Sequence, residues 1–177
     1  SSDSALNLLS AVQFITQTSF AGVAVCMHES TSDDNCLILQ GTKCRKMHTS
    51  RRDAFQPINV LPWARVVYGE RRVEFLRTDY ERKNSEKIPK ISFFKENLKV
   101  GIVKQHTNMF AEEFKCFENF DGLVIETTGL GNLPTTEIDD LTKEHTKIFD
   151  MLKGLIKKMP VVLAPQTLYG MIDLRVY

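Results

Sequence analysis

"DGLVIETTGLGN", residues 121–132, decides how the chain is read. Its first half is a short apolar run, and its second half is a polar loop with two glycines. A continuous apolar run of this length suits a strand covered on both faces. Glycines at the end of such a strand supply the tight turn that leads into the next element. Working outward, "VGIVK" (100–104) and "PVVLA" (160–164) read as strands too. The intervening "NMFAEEFKCF" (108–117) reads as helical. Ile138, Leu141, Ile148, Leu152, Leu155 and Met159 fall on one stripe of a long helix. Strand, helix, strand, helix, strand predicts a parallel sheet with right-handed crossovers. The carboxyl edge of such a sheet is where ligands bind.

The first half is less regular. Ser2 or Asp3 can cap a helix whose apolar residues are Leu6, Leu9, Val12 and Ile15. "GVAVCM" (22–27) predicts a strand buried on both faces, and "CLILQ" (36–40) and "ARVVY" (64–68) predict further strands. "RTDYERKNSEKIPK" (77–90) is polar and charged, the composition of a linker. The expected organisation is an α/β part over 1–76, a charged linker over 77–98 and a second α/β part over 99–177. No repeat or low-complexity segment interrupts it.

The 177 residues carry a formal charge of +1, so nothing global attracts nucleic acid or membrane. Hydrophobic residues make up 42%, enough for a core, yet no apolar run has membrane-spanning length. Cys26, Cys36, Cys44 and Cys116 form no CxxC pair, which reads as reduced thiols in a cytoplasmic protein. The chain starts at Ser1 and stops at Tyr177 within what reads as a strand. It reads as part of a longer sequence.

Several motifs carry possible chemistry. "TTGLGN" lacks the third glycine of GxGxxG, so it reads either as a plain tight turn or as a ligand loop in which Asn132 presents an amide. Cys26, His28, Cys36, Cys44 and His48 match no zinc-ligand spacing, and no metal site is expected. His106 and His145 stand alone, and His145 reads as a partly buried helix residue. The pairs Asp33–Asp34 and Asp139–Asp140 are adjacent in sequence and do not converge as an acid–base dyad; the second pair suits a helix N-terminus. "KCRKMHTSRRDAF" (43–55) puts five Lys or Arg residues within ten positions. It fits a solvated loop, a nucleic-acid patch or a catalytic loop in which one cation matters.

Taken in order, "SSDSALNLLSAVQF", "GVAVCMHESTSDD", "RKMHTSRRDAFQPINVLPWARV", "DGLVIETTGLGN" and "QTLYG" resemble GatD, the asparaginase-like amidase component of archaeal glutamyl-tRNA(Gln) amidotransferases. The resemblance implies two Rossmann-like, mainly parallel-sheet domains of the L-asparaginase type, both incomplete in this chain, and an active site between the protomers of a homodimer. It implies amide hydrolysis by a threonine nucleophile, with a second Thr, an Asp and a Lys as its relay. Glutamine would release ammonia, and a GatE-like partner would use ATP and magnesium to convert Glu-tRNA(Gln) to Gln-tRNA(Gln). The GatD component itself would need no cofactor. The motif match places the family's lysine at Lys46 and a substrate-facing polar residue at Asn132. Asn132 departs toward ordinary asparaginases, which leaves a free L-asparaginase acting on asparagine as a second reading. A non-catalytic RNA-binding piece is a third. Met171 stands where the family has arginine, and Glu29 where it has a small residue. The family's "GGT" and "HGTDT" segments, which hold the threonines and the aspartate, are not in this sequence. The chain alone is therefore expected to be inactive.

Overall fold

A computed structural model describes residues 2–176. The chain divides into units spanning Ser1–Lys90 and Ile91–Tyr177. The first contains helix α1 (Ser2–Gln17) and strands β1 (Phe20–Ala21), β2 (Ala24–His28), β3 (Asn35–Gln40), β4 (Cys44–Lys46), β5 (Phe55–Pro57), β6 (Ala64–Val67), β7 (Arg72–Phe75) and β8 (Glu81–Arg82). The second contains β9 (Val100–Lys104), β10 (Gly122–Thr127), helix α2 (Lys143–Ile156) and β11 (Val161–Pro165). Among the described residues, no helix is long and apolar enough to cross a membrane.

In the first unit a four-stranded sheet runs in the order β2-β3-β6-β7, antiparallel throughout. β3 is its best-covered strand: Cys36, Leu37, Ile38 and Leu39 are all buried. β2 holds the sheet edge and only His28 in it is buried, so the expectation of a strand covered on both faces fails there. α1 lies over this sheet with Ser10, Gln13 and Phe14 inward. The expected inward stripe is displaced, because Leu9, Val12 and Ile15 face outward together with Leu8. α1 is apolar on two sides, and periodicity alone cannot tell which side meets the sheet. Phe14, Ile38, Trp63, Ala64 and Val66 form the core. Phe20, Phe75 and Tyr80 close it, with Phe75 and Tyr80 stacked at 4.7 Å and the Arg77 guanidinium 3.9 Å above the Trp63 ring. Two short ladders, β1–β8 and the hairpin β4–β5, complete the unit. Most of residues 77–98 is irregular and exposed, apart from β8.

The second unit meets the parallel expectation: β11, β10 and β9 lie side by side, parallel. α2 presents Ile148, Leu152 and Leu155 to the sheet, and Met159 just beyond it joins Phe114, Leu123 and Ile125 in the core. Ile138 and Leu141, expected on the same stripe, precede the helix and are exposed. Asp139 accounts for that boundary. Its carboxylate accepts from the N–H groups of Leu141 and Thr142, a cap that starts the helical turn leading into α2. Residues 108–117 form a seven-residue 3-10 helix from Ala111 rather than an α-helix. Gly101 in β9 explains how that segment packs so closely, since a Cβ there would run into the Phe117 ring. Residues 171–176 form turns rather than a strand, and Tyr177 lies outside the described residues.

Candidate active site

The basic run forms the β4–β5 hairpin and its tip. Lys46 pairs with Phe55 at the end of the ladder, and the Met47 N–H donates to the Ala54 carbonyl at 2.6 Å. Inside the tip, His48 Nδ1 accepts from the N–H groups of Ser50 and Arg51, each at 3.1 Å, so the ring works as a turn cap. Arg51 grips Asp53 in a fork, at 2.9 and 2.6 Å. Gln56 holds the Asp53 carbonyl at 2.7 Å. Arg52 reaches out of the hairpin to Asp33, at 2.6 Å.

Lys46 is thus set where the ladder of an ordered hairpin meets its tip, with its side chain exposed. Among the described residues its ammonium has neither a hydrogen bond nor an ion pair. It can present a positive charge to an incoming group. The two arginines at the tip, in contrast, are already matched by carboxylates. That pairing weakens the case for a phosphate-binding patch, because a phosphate would have to displace Asp33 and Asp53.

The glycine loop sits at the carboxyl end of β10. The N–H groups of Gly131 and Asn132 both donate to the Thr128 carbonyl, at 3.1 and 2.9 Å. Gly129 and Gly131 adopt φ of +52° and +123°, and a Cβ at Gly131 would come within 2.5 Å of Leu174. Only glycine accommodates both demands. The turn leaves Asn132 exposed beside the ends of the parallel strands. Gln166 ties those ends together: its amide donates to the carbonyls of Gln105 and Glu126, at 2.5 and 2.8 Å. Lys46 and Asn132 belong to different units, and each is fixed by its own surroundings.

His28 and Cys36 meet across β2 and β3 on Asn7 Oδ1, whereas Cys44, His48, His106, Cys116 and His145 lie elsewhere. No cluster of three or more His, Cys, Asp or Glu side chains among the described residues could hold a metal. All four cysteines are free thiols. The neighbouring Cys36 first, and burial second, push the Cys26 thiol up. His145 is partly buried on α2 and contacts the Thr136 carbonyl. Glu29 gains a physical role: its carboxylate accepts a fork from Arg65, which also reaches Glu74 at 3.2 Å. That ion pair between β6 and the β2–β3 connection is what the departure at Glu29 supplies. Nothing in the structure explains Met171, which is exposed.

Sequence reasoning missed Asp33. Treated as half of an adjacent pair it had no partner, yet the turn after β2 brings it back over His28, at 3.0 Å. The signal was the short spacing between His28 and Asp33, which a β2–β3 turn folds into contact.

A family model described as the asparaginase N-terminal domain matches residues 1–80. The GatD component of the glutamyl-tRNA(Gln) amidotransferase of Pyrococcus furiosus is 38% identical over the whole chain. Its counterparts in Aeropyrum pernix and Archaeoglobus fulgidus are 35% and 39% identical, again over 100% of the chain. The chain spans only 38% to 39% of the length of these relatives. Among solved structures, the thermostable L-asparaginase from Thermococcus kodakarensis superposes with a TM-score of 0.73 at 24% identity, covering 99% of this chain and 47% of its own. The fold is of the asparaginase type, and over its whole length the chain is similar to GatD of the archaeal glutamyl-tRNA(Gln) amidotransferases.

Proposed function

We propose that the chain is the central part of the amidase component of a tRNA-dependent amidotransferase. The observation that carries this reading is the similarity to GatD over the whole chain, which includes the ordered hairpin that sets Lys46. In this reading the parent protein hydrolyses glutamine, and the ammonia converts Glu-tRNA(Gln) to Gln-tRNA(Gln). The nucleophile is a threonine outside this chain. A neutral hydroxyl is a poor nucleophile, so it needs a base and a nearby cation. Lys46 supplies that cation, and Asn132 contacts the substrate amide. The parent works as a homodimer with a GatE-like partner in the cytoplasm. It binds no cofactor of its own, and ATP and magnesium belong to the partner.

The test is made on the full-length parent, with glutamine and asparagine supplied separately. Glutamine hydrolysis that Lys46→Met lowers by about 10²–10⁴-fold, with folding intact, supports the reading. Unchanged turnover would remove Lys46 from the site. Fast asparagine hydrolysis independent of tRNA would instead favour a free L-asparaginase, the reading toward which Asn132 leans. The 177-residue chain by itself should hydrolyse neither amide.

A further inference from the structure

One polar chain in the first unit is not used by the chemistry above. His28 is 1% exposed, the only buried residue of β2. Its ring bridges two elements: Nδ1 lies 2.8 Å from Asn7 Oδ1 on α1, and Nε2 lies 3.0 Å from Asp33 Oδ1 in the β2–β3 turn. Cys36 on β3 also donates to Asn7 Oδ1, at 3.4 Å. Asp33 receives Arg52 of the hairpin tip on the same oxygen that faces His28. A line of side chains therefore runs from α1 through the sheet edge and the turn to the tip of the hairpin that carries Lys46.

We propose that Asp33 is a positioning residue, which clamps the β4–β5 hairpin to the sheet through Arg52 and is itself oriented by His28 and Asn7. This inference rests on the amidase reading for its purpose, namely a fixed placement of Lys46. Three features support it. The ladder that holds the hairpin has only three residue pairs, so its twist relative to the main sheet is soft without an outside tie. Arg51 is satisfied within the tip, whereas Arg52 spans to residue 33. His28 is buried, and a carboxylate oriented by a buried ring is a better anchor than one on a free turn. Asp33 is itself 57% exposed, so the tie acts through geometry more than through charge.

The experiment has two arms. In the full-length parent, hydrogen exchange of the amides of residues 47–54 is followed in Asp33→Ala, Arg52→Ala and the double variant. Each single change should speed exchange about two- to fivefold, and the double should be no faster than either, because both remove one tie. Asp33→Asn keeps an acceptor oxygen for both His28 and Arg52 and should restore most of the protection. In the full-length parent, Asp33→Ala should lower kcat for glutamine about tenfold while KM moves less than about twofold, and Asp33→Asn should recover it. Unchanged exchange in Asp33→Ala, or effects of the two single changes that simply add, would overturn the clamp. Faster exchange with unaltered kcat would overturn its positioning role. A parent that hydrolyses no glutamine even as wild type would instead overturn the amidase reading, and the exchange arm would still decide the clamp.

Discussion

At the scale of single residues, glycines give the sharpest expectations. Gly101 lies under the Phe117 ring with no room for a methyl group. Gly101→Ala must push that ring and the 3-10 turn away from β9, and should destabilise the second unit by about 1–3 kcal/mol, measured by urea denaturation. Gly154 is the opposite case. It is exposed on α2 with nothing within 4 Å of a Cβ added there. Gly154→Ala should raise stability by about 0.5–1 kcal/mol, because alanine loses less backbone freedom on entering a helix. Thiol labelling makes a third check. Cys116 is exposed and Cys36 is fully buried, so an aromatic disulfide reagent should modify Cys116 first and Cys36 last. Single residues also show what a sequence leaves out. Lys46 and Asn132 could be singled out from motifs, because a motif is local. Asp33 is only half legible in this way: its short spacing from His28 hints at one contact, but Arg52 comes from nineteen positions downstream.

At the scale of elements, the 3-10 helix Ala111–Phe117 carries a pH dependence. The Phe110 N–H donates to Glu113, and His106 Nε2 sits 2.8 Å from the same carboxylate. The Phe110 N–H first, and His106 second, hold Glu113 below its ordinary 4.5. The Thr107 carbonyl and then Glu113 hold His106 above its ordinary 6.5. A lowered carboxyl contributes stability above 4.5 and loses it as pH falls through the folded value. A raised histidine contributes fully below 6.5 and loses its share as pH rises through the folded value. The pair is therefore most helpful between those two limits. Urea midpoints of the second unit should peak there, and Glu113→Gln should flatten the profile. Strands β3, β6, β9, β10 and β11 were legible because apolar runs of four to six residues have few other uses. The facing of α1 was not legible, because Leu6, Leu9, Val12 and Ile15 form a stripe as convincing as the true one. The buried face includes Ser10 and Gln13, which no hydrophobic pattern would choose. The helical reading of 108–117 holds from Ala111 onward, but apolar spacing over so short a span does not tell a 3-10 helix from an α-helix.

At the scale of the whole molecule, apolar surfaces stand open on elements of both units. On α1 these are Leu8, Leu9, Val12 and Ile15, and on the outer face of the β9–β10–β11 sheet they are Val100, Ile102 and Val162. Parallel sheets are ordinarily covered on both faces, and the helices that flank them on their inner side. The 177-residue chain should therefore bind an environment-sensitive dye such as ANS, and Leu8→Gln with Val12→Gln should reduce the signal without lowering the urea midpoint. These same surfaces set how a solution of the chain responds to warming. Association of apolar faces strengthens as temperature rises from the cold, the reverse of what holds hydrogen-bonded aggregates together. A clear solution kept on ice should turn cloudy on modest heating while its circular dichroism is still native, and should clear again when chilled.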